Sequence, residues 1–318
     1  MKDSNNRTIK YMRLSVTDMC NFRCSYCMPE DYDVKTHNLS LEHIELISKN
    51  LNKLGITKVK LTGGEPLVRN DICDIVRVLK EQCHIEEVTL TTNGVLLDKY
   101  LDSLVDAGLD AITISIDTLR KDDFNQLVKR EQFDRVIENI KLAVASPIQN
   151  IKLNCVPLKH LGDDNLLEII KFADDLNIPI RFIEMMPIGL GRKFPGYDQS
   201  SLIKLFEAQY GTSTSSFKHY GNGPATYLHF ERLNIEVGFI SAISNKFCGD
   251  CNRIRVTSTG HLKQCLHYNY NIDLVETLQT SDGLASIRNF ILGKPKEHTF
   301  TDLKQENIET LTMSEIGG

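Results

Sequence analysis

The chain has no excess of positive charge: 37 Lys and Arg stand against 42 Asp and Glu over 318 residues, a formal net charge of −5. A nucleic-acid binder that relies on a global basic field is excluded, and any anionic ligand must be held by locally clustered cations. No stretch approaches the ~18 to 20 consecutive apolar residues of a membrane span. The opening residues, Met1-Lys-Asp-Ser-Asn-Asn6, lack the apolar run of a secretion signal, which points to the cytoplasm. No G-x4-G-K-[S/T] loop is present, which argues against a Walker-type GTPase. Internal repeats and low-complexity linkers are also missing. The nine cysteines are an odd number and cannot all pair. Six of them fall in two tight groups, which in a reducing compartment suggests metal ligation over disulfides. Cys73, Cys83 and Cys155 lie in apolar-patterned elements and read as core thiols.

What is present suits an enzyme-sized globular protein: 41% hydrophobic and 25% charged residues over this length predict a large core and roughly two domains. Strand-like runs occur at 11–17, 57–62, 87–91, 110–116, 151–156 and 180–185, with helical periodicity near 41–54, 70–82, 97–107, 131–146 and 164–176. This alternation predicts a parallel sheet of βαβ units, six of which make a partial TIM-like barrel. After about 195 the pattern changes to Gly- and Ser-rich connections (211–216, 221–224) around short alternating runs at 225–230 and 235–241. The expected division is a barrel over 1–210 and a smaller α+β region over 211–318.

The conspicuous residues fall where such a fold places its chemistry. Cys20, Cys24 and Cys27 follow the first strand with the spacing C-x3-C-x2-C. Three thiolates on one loop can hold three corners of a 4Fe-4S cube and leave the fourth iron open to a small molecule. The plainer alternative, a structural zinc site, needs a fourth ligand, and only His37 is near. Thr62-Gly-Gly-Glu-Pro66 follows the second strand; by itself it is an ordinary strand-to-helix turn, with Glu65 available to fix it. Thr91-Thr-Asn-Gly94 follows the third strand, Ser115 and Asp117 end the fourth, Lys152 and Asn154 lie on the fifth, and Met185-Met-Pro187 ends the sixth. Ser115 and Asp117 could simply cap a helix and Met186 could be core. In a parallel barrel, however, all of these share the C-terminal rim that carries active sites.

A second triplet, Cys248, Cys251 and Cys265, has the spacing C-x2-C-x13-C, where a zinc ribbon would need a second pair. Another under-coordinated cluster fits the count. Arg253 and Arg255 alternate beside it and point to one side if the segment is extended. Solvated surface charge is the commoner fate of arginine, but two guanidinium groups beside a cluster suit phosphate oxygens.

The first triplet with its aromatic Tyr26, followed by Gly63-Gly-Glu-Pro66, resembles the radical S-adenosylmethionine superfamily. The stretches 13–29, 61–67, 91–94, 115–118, 181–187 and 223–225, the second triplet and the closing Ile316-Gly-Gly318 resemble, more narrowly, the GTP 3′,8-cyclase family of molybdenum cofactor biosynthesis. That resemblance implies a carbon–carbon lyase. A 5′-deoxyadenosyl radical would take hydrogen from ribose C3′ of GTP, and the product would be (8S)-3′,8-cyclo-7,8-dihydroguanosine 5′-triphosphate. It implies S-adenosyl-L-methionine and two 4Fe-4S clusters, on Cys20, Cys24 and Cys27 and on Cys248, Cys251 and Cys265. Tyr26, Gly64, Ser115 and Met186 would contact S-adenosylmethionine. Arg13, Lys60, Thr91, Lys152, Arg253 and Arg255 would bind GTP, while Arg181, Gly317 and Gly318 would be catalytic. The implied partners are a flavodoxin- or ferredoxin-type reductant and cyclic pyranopterin monophosphate synthase, with the chain a monomer or homodimer.

The sequence departs from the family in having Lys60 where Arg is frequent, which keeps charge but not a bidentate grip. Met19 replaces a frequently basic residue, and the segment between the first triplet and residue 62 is shorter than in many relatives. A diglycine end is ordinarily a frayed tail; in this family it reaches into the active site. Two rival readings follow from the same cysteines. A radical maturase acting on a peptide would carry more cysteines in its C-terminal extension. A non-catalytic iron–sulfur or zinc module would supply four ligands per site.

Overall fold

Along the central strands every second residue is apolar and packs outward under the helices, while the residues between them are polar and line an interior cavity. Met12 and Leu14, Val59 and Leu61, Val88 and Leu90, and Ile112 and Ile114 belong to the main core. Arg13, Lys60, Thr89 and Ser115 line the cavity. A strand's period of two thus separates the fold-forming face from the chemical one. The structure is a computed structural model that describes residues 1–28, 30, 37–218, 220–300, 308–313 and 315–317.

In chain order the elements are β1 (Tyr11–Ser15), α1 (Leu41–Lys53), β2 (Lys58–Thr62), α2 (Ile72–Arg77, continued by a π-helical turn, Val78–Gln82), β3 (Glu87–Thr92), α3 (Leu97–Asp106), β4 (Ala111–Ser115), α4 (Lys121–Val128), α5 (Phe133–Val144), β5 (Asn150–Cys155), α6 (Asp163–Asp175), β6 (Ile180–Ile183) and α7 (Gln199–Tyr210). There follow β7 (Ser213–Ser216), β8 (Thr226–Phe230), β9 (Glu236–Ile240), β10 (Arg253–Val256), β11 (His261–Lys263), β12 (Asn271–Asp273), α8 (Leu274–Leu278) and α9 (Gly283–Leu292). The helices form where apolar residues recur at helical spacing: α1 buries Ile44, Ile47 and Leu51, and α6 buries Leu166, Ile169, Ile170 and Ala173. Ser40 caps α1 by accepting from the His43 N–H at 3.1 Å.

The strands form one sheet in the order β12-β11-β10-β1-β2-β3-β4-β5-β6-β9-β8-β7. From β10 through β1–β6 to β9 every neighbouring pair is parallel, and the outer strands on both flanks are antiparallel. Arg253 and Arg255 from the β10 flank line the same cavity as Ile240 from the β9 flank, so the sheet curls around it. The six-stranded partial barrel expected from the sequence is therefore present. The C-terminal region supplies strands to both of its flanks, so the two parts share one sheet. Among the described residues no helix is long and apolar enough to cross a membrane.

Several elements exceed the sequence expectation. The stretch 211–216 reads as a connection, yet Ser213–Ser216 is an edge strand; its four residues are Ser and Thr, so no apolar alternation marks it. The helical run expected at 70–82 turns π-helical halfway, and β6 stops at Ile183. Cys73, Cys83 and Cys155 are core thiols, as their pattern indicates.

Candidate active site

The first cysteine loop is fixed from below by α4. The Arg23 and Ser25 N–H groups donate to the Val128 and Leu127 carbonyls at 3.0 Å each, and Phe22 meets Phe124 edge-on at 5.8 Å. Tyr26 donates its hydroxyl to Asp117 Oδ2 at 2.6 Å, and Asp117 Oδ1 accepts the Val156 N–H at 2.8 Å. Asp117 therefore ties the loop to β5 and caps no helix; burial pushes its carboxyl up to about 6. Cys20, Cys24 and Cys27 all line the cavity and are not in disulfides. Burial pushes Cys20 up to about 12 and Cys27 to about 11, so a metal bound here would have to displace their protons. His37 donates its backbone N–H to Asp18 at 3.1 Å and sets its ring Nδ1 3.0 Å from the same carboxylate. Among the described residues no three His, Cys, Asp or Glu side chains converge on a single ion. A cube takes each thiolate on a separate iron, so its cysteines stand apart.

The Gly63-Gly64 turn is pressed against the segment that joins β1 to this loop. A Cβ on Gly64 would lie 2.3 Å from the Met19 carbonyl oxygen, and one on Gly63 would lie 2.3 Å from that of Thr17. The Gly64 N–H donates to the Thr17 carbonyl at 2.9 Å and the Glu65 N–H to the Met19 carbonyl at 2.7 Å. Met19 thus contributes backbone here, while its side chain is 38% exposed, which locates that departure from the family at the surface. Glu65 is buried and accepts from Leu67 N at 3.0 Å, Thr92 Oγ1 at 2.8 Å and Asn93 N at 2.6 Å. It stitches the turn after β2 to the end of β3; burial raises its carboxyl to about 7 against the pull of these bonds.

β10 runs parallel to β1 and antiparallel to β11, so Cys248 and Cys251, which precede β10, and Cys265, which follows β11, line the same cavity from the end opposite to Cys20, Cys24 and Cys27, which follow β1. Arg7, buried and paired with Asp3, donates to the Cys248 carbonyl at 2.9 Å and to the carbonyls of Lys294, Pro295 and Lys296 at 2.8–3.1 Å. The Arg253 guanidinium stacks over Phe247 at 4.8 Å. Burial raises Cys251, but Arg253 and Lys294 outweigh it and hold the thiol at about 6.

Between the two triplets lies a belt of cations in a cavity of about 360 Å³. Sheet register sets Lys60 and Arg255 on either side of Arg13, and Arg181 beside Asn154. Lys60 donates to Thr113 Oγ1 at 3.2 Å and Arg181 to Asn154 Oδ1 at 2.9 Å. Lys60, Lys152 and Arg181 are buried. Burial, then repulsion from Arg181, Lys152 and Arg13, holds Lys60 well below the usual lysine range, and burial with Arg181 brings Lys152 to about 7. Arg255 is lowered by burial and by Arg13 and Arg253. Like charges held this close in a buried space are relieved by a polyanion.

The C-terminal segment reaches the same place. The Gly317 carbonyl accepts from Arg255 Nη1 at 2.7 Å, and its φ of +70° suits glycine. Gly318 lies outside the described residues. Tyr26, Gly64, Thr91, Ser115, Lys152, Arg181, Met186, Arg253 and Arg255 all line the one cavity. The sequence reading missed Arg7, Lys294, Thr113 and α4; their contacts are long-range, and nothing in the local pattern signals them.

Known proteins resemble the chain along its whole length. Residues 14–173 match the radical SAM superfamily and residues 178–300 match Molybdenum Cofactor Synthesis C. The chain is 39% identical to GTP 3′,8-cyclase of Clostridium perfringens strain 13, covering 100% of both proteins. It is 36% identical to the enzyme of that name from Limosilactobacillus fermentum, covering 99% of this chain and 98% of that one. Among solved structures it resembles Streptococcus suis SuiB bound to S-adenosylmethionine, with a TM-score of 0.65 at 17% identity, over 94% of this chain and 75% of that one. It also resembles the FeFe-hydrogenase maturase HydG from Carboxydothermus hydrogenoformans, with a TM-score of 0.53 at 18% identity, over 63% and 51%. Identities this low establish the fold alone, whereas the end-to-end similarity to the cyclases decides the lineage. The chain belongs to the GTP 3′,8-cyclase family of the radical SAM superfamily.

Proposed function

We propose that the chain converts GTP to (8S)-3′,8-cyclo-7,8-dihydroguanosine 5′-triphosphate, the first step of molybdenum cofactor biosynthesis. The observation that carries this reading is one cavity lined at opposite sides by two cysteine triplets, with Arg13, Lys60, Lys152, Arg181, Arg253 and Arg255 between them. Cys20, Cys24 and Cys27 would hold the cluster that binds S-adenosylmethionine, beside Tyr26, Gly64, Ser115 and Met186. Cys248, Cys251 and Cys265 would hold a second 4Fe-4S cluster facing the substrate base. When bound, the first cluster and S-adenosylmethionine supply the radical that removes the ribose C3′ hydrogen. The cation belt would grip the triphosphate, with Thr91 beside it, and so fix the ribose between the two triplets. Arg255 orients the Gly317 carbonyl, and Arg181, held by Asn154, would face the reacting nucleotide. In this reading residues 1–210 form the partial barrel with the first cluster, and 211–318 a C-terminal region with the second cluster and the diglycine end. A flavodoxin- or ferredoxin-type protein would supply electrons, and cyclic pyranopterin monophosphate synthase would consume the product.

The test is anaerobic reconstitution with iron and sulfide, followed by incubation with S-adenosylmethionine, a reductant and GTP. About eight irons per chain, the content of two cubes, are expected, with 5′-deoxyadenosine formation that depends on GTP. Cys265→Ser should reduce iron to about four and abolish cyclisation while S-adenosylmethionine still binds. Equal loss of both would refute the division of labour. A peptide-modifying activity, the rival reading, would leave 5′-deoxyadenosine formation indifferent to GTP.

A further inference from the structure

Cys265 sits in a short segment that the C-terminal residues hold from both sides. Lys263, the last residue of β11, forms an ion pair with Glu309 in which each side chain is only 2% exposed, and Lys263 Nζ also donates to the Tyr268 carbonyl at 2.9 Å. The Glu309 N–H donates to the His267 carbonyl at 2.8 Å, and Tyr268 pairs with Ile308 in an antiparallel bridge. Ile316 is fully buried in a small apolar cluster with Ile188, Leu266 and Phe300. Lys263, His267 and Tyr268, which flank Cys265, are therefore each contacted by Ile308 or Glu309, and Leu266 shares its apolar cluster with Ile316.

The same carboxylate also sets the path of the chain toward the cavity. Glu309 Oε1 accepts from Thr310 N and Leu311 N at 3.0 Å each, and Thr312 N donates to Glu315 at 2.7 Å in the next turn. Gly317 then meets Arg255. A buried ion pair is a weak net stabiliser compared with well-packed apolar groups, but breaking it leaves one charge uncompensated in the interior. It is therefore better suited to fixing register than to adding stability.

We propose that Lys263 and Glu309 are positioning residues that couple the placement of residues 308–317 to the geometry of Cys265, so that ordering this segment and completing the second cluster favour one another. The inference rests on Cys265 being a cluster ligand, as read above. Such coupling is reciprocal: whatever the cluster does for the segment, the segment does for the cluster.

The experiment compares hydrogen exchange at residues 308–316 in the full-length chain before and after cluster reconstitution. Reconstitution should slow exchange there by about tenfold, within the usual range of coupling between sites. Unchanged exchange in a wild-type chain that has taken up two clusters overturns the proposal alone, whereas a wild-type chain that takes up one cluster overturns the underlying reading as well. In the variant Lys263→Met/Glu309→Gln, which leaves no buried charge unpaired, the melting temperature should stay near wild type. The cluster-dependent protection should fall to less than about threefold, and the paramagnetic resonance signal of the second cluster should shift. Retention of wild-type protection and signal in that variant overturns the proposal. Ile316→Ala, which leaves the ion pair untouched, should weaken the same protection from the other side of Cys265.

Discussion

Gly317→Ala is the sharpest perturbation the structure offers, because three effects act on one methyl group. Alanine at a φ of +70° costs about 1–2 kcal/mol in left-handed backbone. The new Cβ would lie 2.7 Å from Ser15 Cβ, which is itself buried and attached directly to β1, so the segment must retreat. Retreat breaks the 2.7 Å bond from Arg255 to the Gly317 carbonyl, a charge-assisted bond worth about 1.5–3 kcal/mol. Together these disfavour the docked segment by about 2.5–5 kcal/mol, or roughly 10²- to 4×10³-fold in its population. The assay is GTP-dependent cyclisation alongside S-adenosylmethionine binding; the first should fall by that factor and the second should hold, since no contact of the first triplet is touched. Ser15→Gly, added to Gly317→Ala, removes the clashing Cβ and should recover part of the loss. Wild-type turnover in Gly317→Ala, or no recovery in the double variant, would refute the steric account.

Lys152 titrates near neutrality because burial and Arg181 disfavour its charge. A bound polyanion restores that charge, so GTP binding should take up a proton above pH 7 and weaken as pH rises from there. Calorimetry in buffers of different ionisation heat measures the proton uptake; Lys152→Met should reduce it, and the remainder should fall with Lys60→Met. Glu65→Ala leaves the Leu67 and Asn93 N–H groups without their carboxylate acceptor, at about 1–3 kcal/mol each. Denaturant unfolding should register that loss in the metal-free chain, and a change below about 1 kcal/mol would contradict the stitching role. Tyr26→Phe removes the 2.6 Å bond to Asp117, pushes that buried carboxyl further up, and should speed exchange in the loop around Cys24. Unaltered exchange would mean that α4 alone holds the loop.

The barrel was legible in the sequence because each of its first six strands carries an apolar outer face, and the hydrophobic effect acts on that pattern locally. Both cysteine triplets were legible for a related reason: their members lie within short spans of chain, so spacing alone picks them out as groups. The edge strand Ser213–Ser216 escaped because its residues bury no apolar face and are held by pairing with β8. The helix α4 escaped because its eight residues give too short a period to stand out, although it anchors the first loop.

What the residues determined by themselves was the kind of chemistry: soft thiolates in threes, forked cations, and glycine where backbones must touch. They could not determine that Arg7 would grip Cys248, that Lys263 would meet Glu309, or that strands after residue 236 would join both flanks of the sheet. Those contacts join residues dozens to hundreds of positions apart, and only the folded chain, by excluding water from the space they share, makes them strong enough to matter.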